Sequence, residues 1–69
     1  MNDFYRMIRG RVEFFAKQEE NLNADGTVNW NFVDADICME LNMTTACRND
    51  YYVPLFNKAV DNFLAGKEY

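Results

Sequence analysis

The sequence predicts an all-α fold, a small three-helix orthogonal bundle with room for a short fourth helix. Apolar residues recur at helical spacing in three separate segments, and no segment alternates with the two-residue period of a strand. Asp25-Gly26 and Pro54 punctuate the chain near the boundaries of those segments. The 69 residues are expected to form one domain, 1–69, at a size where a single core is barely sufficient.

Helix 1 is expected from a cap at Asp3 to about Glu20. Phe4, Ile8, Val12 and Phe15 form its apolar stripe, bordered by Met7 and Arg11, with Arg6, Arg9, Glu13 and Lys17 mostly opposite. Glu13 and Lys17 stand in the favourable order for a pair four residues apart. Gly10 costs about 1 kcal/mol relative to alanine inside a helix. A close helix approach and a tolerated defect explain it equally well.

Asn21 to Asn29 reads as a connection, with a turn at Asp25-Gly26 that needs positive φ at the glycine. Thr27-Val28 suits a short extended piece without a visible partner strand. Asn29 or Asn31 then caps helix 2, which runs to about Leu41 with Trp30, Val33, Ile37 and Leu41 on one face. Asp34 and Asp36 fall in its early turns, where carboxylates complement the dipole.

Asn42-Met43-Thr44-Thr45 breaks the pattern, and a short helical turn follows from Thr44 or Thr45 to Asp50. The last helix is clearest from Pro54 onward, with Tyr52, Phe56, Ala59 or Val60, and Phe63 as its stripe. Gly66 ends it, and Lys67 lies near the negative end of its dipole. The expected interior is Phe4, Ile8, Val12, Phe15, Val33, Ile37, Leu41, Phe56, Val60 and Phe63.

Composition removes several classes of function. No apolar run approaches membrane-spanning length, and Arg6 and Arg9 interrupt the N-terminal apolar residues. No signal is visible, and a cytoplasmic protein is expected. The absence of histidine excludes two-Cys-two-His zinc sites and any Ser-His or Cys-His nucleophile pair. Cys38 and Cys47 lack CxxC spacing and read as reduced thiols. Asp34 and Asp36, two residues apart, point to different helix faces and make a poor acid/base pair. There is no glycine-rich phosphate loop. A non-enzyme without cofactors is expected.

The net charge of −4 hides an asymmetry. Residues 1–17 carry four basic and two acidic groups, whereas residues 18–69 carry three basic and nine acidic ones. Between Gln18 and Asn42 there are six acids and no base. Phosphate backbones are repelled by such a surface unless the basic end makes the contact.

Two local patterns suggest ligands. With Gly26 at the sixth position of a calcium loop, Asn21, Asn23 and Asp25 take the first, third and fifth, and Asn29 the ninth. The segment resembles an EF-hand loop, and Asn23-Ala24-Asp25-Gly26-Thr27-Val28-Asn29 is especially similar to dockerin repeats. Position one is Asn21 rather than aspartate and position twelve is Phe32, so the charge that binds Ca²⁺ is largely missing. The second pattern, Ile37-Cys38-Met39-Glu40-Leu41-Asn42-Met43-Thr44, resembles a helix-turn-helix at Ile37, Cys38, Leu41, Met43 and Thr44. A DNA-binding module from Ile37 to Tyr51 would use Thr45, Arg48 and Asn49, with Arg6, Arg9 and Arg11 from helix 1. Pro54 would interrupt a full recognition helix.

The aromatic content points elsewhere. Tyr5, Phe14, Trp30, Phe32, Tyr51, Tyr52 and Tyr69 exceed what a core this small holds beside Phe4, Phe15, Phe56 and Phe63. The expected interaction surface is Trp30, Phe32, Tyr51, Tyr52, Phe14 and Tyr5, with Trp30 as its hot spot. A homodimer is the expected partner state. The run D-G-T-V-N-W-N-F-V-D-A-D from Asp25 to Asp36, together with the overall length, resembles small uncharacterised reading frames of marine tailed bacteriophages. That resemblance implies expression in a bacterial cytoplasm and a modulator of a host protein, and it carries no functional residues over.

Overall fold

The computed structural model describes residues 3–44 and 47–67 and is a three-helix all-α bundle. Helix α1 spans Asp3–Ala16, α2 spans Trp30–Leu41 and α3 spans Val53–Leu64. A 3₁₀ turn, Glu19–Asn21, follows α1, and a π turn, Arg48–Tyr52, runs directly into α3. Helix α1 is the central element, packing most extensively against α3 and next against α2.

Local chemistry sets the boundaries. The Asn29 side chain caps α2 by accepting from the amides of Asn31 and Phe32 at 3.2 and 3.4 Å. Helix α2 ends at Asn42, which takes the left-handed conformation at φ 51°, a region asparagine tolerates better than most residues. Helix α3 closes on Gly66, whose amide reaches Phe63 O while the Lys67 amide reaches Asn62 O at 2.8 Å. These are the paired bonds of a Schellman motif, and they require positive φ at Gly66, here 74°.

Helix 1 is shorter than its pattern suggests, because α1 stops at Ala16 and the chain resumes as a 3₁₀ turn at Glu19. The last helix begins earlier than Pro54. Proline lacks an N–H and its ring crowds the carbonyl four residues back. The turn before it widens into the π form, closed by the Val53 amide on Arg48 O. Of the two expected starts of the short turn, Thr45 lies outside the described residues, while Thr44 holds its beginning. The Thr44 hydroxyl accepts from the Cys47 amide at 3.2 Å and its carbonyl from the Arg48 amide at 2.9 Å. Tyr69 also lies outside the described residues.

The core comprises Tyr5, Ile8, Val12, Ala16, Val33, Ile37, Tyr52, Phe56 and Ala59. Phe4, Phe15, Leu41, Val60 and Phe63, expected inside, are only partly buried and pack around it. The buried stripe of α1 is therefore rotated by about one residue, with Tyr5 inside in place of Phe4. Distant groups make that possible. Asn62 Nδ2 donates to the Tyr5 hydroxyl at 2.7 Å, and Lys58 Nζ sits 4.8 Å from its ring centroid.

Among the described residues the only extended pairing is an isolated antiparallel bridge between Leu22 and Val28. Thr27-Val28 is thus extended as expected, and its partner is the start of its own loop. No helix among the described residues is long and apolar enough to cross a membrane.

Candidate functional site

Helices α1 and α2 run antiparallel. Arg11 pairs with Glu40 at 2.7 Å, and Asn21, just beyond α1, donates to Asp36 at 3.0 Å, so the register falls along one helix as it rises along the other. Met7 and Phe14 are seven residues apart on α1, and Phe32 and Met39 are seven apart on α2. Each pair therefore shares one stripe of its helix. Both stripes lie beyond the Arg11–Glu40 seam, turned away from the buried Ile8, Val12, Val33 and Ile37. Phe14 is 55% exposed, Phe32 53% and Met39 79%, with Met7 also exposed. Four large apolar side chains thus cover the outer face of the α1–α2 pair.

The aromatic residues expected at an interaction surface separate into two groups. Phe14 and Phe32 belong to the outer face, and Tyr51 is exposed at the π turn. Tyr5 and Tyr52 do not belong there, since they are 1% and 0% exposed. Their rings fill the space between α1, α2 and α3, because Phe4 and Val60 turn partly outward. Trp30 is partly buried and packs edge-on to Phe63 with centroids 5.9 Å apart, on the core side of α2 rather than on its outer face. Met7 and Met39 were absent from the aromatic count, and their seven-residue spacing to Phe14 and Phe32 was the available signal.

The calcium-loop residues are committed to the fold. Asn21 is buried, with its amide nitrogen donating to Phe15 O and Asp36 at 3.0 Å each. Its carbonyl accepts from the Asn29 amide at 2.8 Å. Asn23 Nδ2 donates to the Thr27 hydroxyl at 2.9 Å. Asp25 Oδ1 accepts from the Thr27 hydroxyl at 2.6 Å and its amide at 3.0 Å, which holds the carboxyl below its ordinary value. Asn29 Oδ1 is the helix cap. The loop closes on itself around Thr27, and Gly26 at φ 89° makes the turn. Among the described residues no cluster of three His, Cys, Asp or Glu side chains is disposed around a metal position.

The residues of the DNA alternative are likewise dispersed. Arg48 bonds Asp34 of α2 and lies 5.9 Å from the Tyr52 ring centroid. Arg11 is held by Glu40, and Arg9 is buried against α3. Asn49 is exposed beside Asp50, and Thr45 lies outside the described residues. Arg6 is exposed on α1. The left-handed turn at Asn42 is shared with helix-turn-helix proteins, but Arg48 on its far side is directed inward by Asp34.

Around Asp34 a small polar network joins α2 to the π turn. Cys38 Sγ donates to Asp34 Oδ1 at 3.4 Å, and burial pushes the Cys38 thiol up, partly opposed by Arg48. A thiol held protonated is a poor nucleophile. The Tyr52 hydroxyl is enclosed without a formed hydrogen bond; burial, then the Asp34 charge, raises its pKa. The network ties the π turn to α2 and offers no activated group. Comparison of the chain with family models, curated proteins and solved structures returns no match.

Proposed function

We propose that this chain is a non-catalytic helical interaction protein that forms a homodimer through the outer face of α1 and α2. The supporting observation is the pair of apolar stripes, Met7 with Phe14 and Phe32 with Met39, left open to solvent on adjacent antiparallel helices. Exposed apolar patches of this kind mark interaction sites in small proteins. A second copy is the occupant that the patch and the size of the chain favour. A two-fold axis sets this one apolar face against itself, so a chain of 69 residues gains buried apolar area from a single patch used twice.

Size sets the strength. Two helices about 20 Å long and 10 Å wide each present roughly 400 Å² of plan area. That lies at the small end of interface sizes, so a weak association that depends on protein concentration is expected.

Sedimentation equilibrium from low micromolar to millimolar concentration tests the reading. The expected result is a rise from monomer to dimer mass across that range, with no rise for Phe32→Glu. That substitution is chosen because residue 32 is the third residue of α2, where a glutamate completes a capping box with Asn29. It should leave the monomer as stable as before or slightly more so. A monomer mass for the unaltered chain throughout would overturn the proposal.

A further inference from the structure

Between α1 and the end of α3 lies a cleft of about 380 Å³, lined by Arg6, Arg9, Gly10, Glu13, Phe63 and Lys67 among others. It is on the α3 side of α1, away from the outer face described above. Three of those residues are cationic and one is anionic, in a chain whose net charge is −4. Arg9 is its fixed point. The side chain is 8% exposed, its Nη2 donates to Lys67 O at 2.7 Å, and its guanidinium lies 5.4 Å from the Phe63 ring centroid. Those contacts hold the guanidinium rigidly, yet its Nε is buried without a hydrogen-bond partner. A buried, charged donor without an acceptor is costly to retain. Its natural complement is an oxygen anion, since a guanidinium presents a planar fork of donors to carboxylate or phosphate.

Gly10 gives the second observation. A Cβ built there meets nothing within 4 Å, so the glycine does not serve a close helix approach. What its missing side chain leaves is open space at the cleft. We propose that this cleft binds a small oxyanion, with the Arg9 guanidinium in its wall as the fixed cation, Lys67 and Arg6 adding charge, and Phe63 as an apolar wall. The volume exceeds what a bare phosphate fills and falls within the range of small-molecule sites. A free phosphate and a free carboxylate offer the same chemistry.

The test follows the Arg9 Nε–H resonance by ¹⁵N NMR while inorganic phosphate is titrated against sodium chloride at constant ionic strength. The expected result is a saturable shift with phosphate that chloride does not reproduce. Gly10→Leu projects a side chain from a position where an added Cβ meets no neighbour, and should weaken binding by at least about tenfold, with circular dichroism unchanged. The proposal is overturned if Arg9 shows no saturable phosphate shift. It is equally overturned if Gly10→Leu responds as the unaltered chain does.

Discussion

Ile8, Val12, Val33 and Ile37 on the inner face of the α1–α2 pair are completely buried in the core shared with α3 and the π turn. Met7, Phe14, Phe32 and Met39 on the outer face are the same class of residue and remain exposed. The difference lies in supply, since one further helix can cover one face only. In a 69-residue chain that is 49% hydrophobic, the second face is left uncovered. Truncation on the inner face should lower stability at any protein concentration. On the outer face it should change association and leave the isolated monomer alone.

The largest effect is expected at Ile37→Ala, which removes a fully buried side chain at the centre of the core. It should cost about 2–5 kcal/mol in urea unfolding, with the same loss in dilute and concentrated samples. Asn29→Ala, which strips the α2 cap, should cost about 1 kcal/mol. Tyr52→Phe removes a buried hydroxyl that lacks a partner, so its midpoint should stay level or rise, by up to about 1 kcal/mol. Smallest is Met39→Ala, two residues from Ile37 but on the outer face. It should alter monomer stability by less than about 0.5 kcal/mol while weakening association. Equal losses at Ile37 and Met39 would erase the distinction between the faces.

Much of this architecture was legible because its causes are local. The Asn29 cap, the left-handed Asn42 and the glycine stop at Gly66 each follow from the chemistry of one residue and its neighbours. The π turn was partly legible, since Pro54 signals a disturbance without saying whether the helix breaks or widens. Errors arose where a distant group decided the outcome. Tyr5 is buried because Asn62, 57 residues away, meets its hydroxyl. Arg9 left the solvent face because Phe63 and the Lys67 carbonyl receive it. Asn21 is buried because its side-chain amide links Phe15 O at the end of α1 to Asp36 on α2. For the surface, counting aromatic rings identified an excess without identifying which rings. The pairing of helices α1 and α2 was needed to bring Phe14 and Phe32 together with the two methionines.

The self-association claim is tested most directly by an isotope-filtered NOE experiment on an equal mixture of ¹³C-labelled and unlabelled chain at millimolar concentration. Contacts between copies are predicted from the Met7 and Met39 methyl groups and the Phe14 and Phe32 rings, with none from Ile37 or Val12. Intermolecular signals confined to Tyr51 and Leu64, or no intermolecular signals at all, would contradict it.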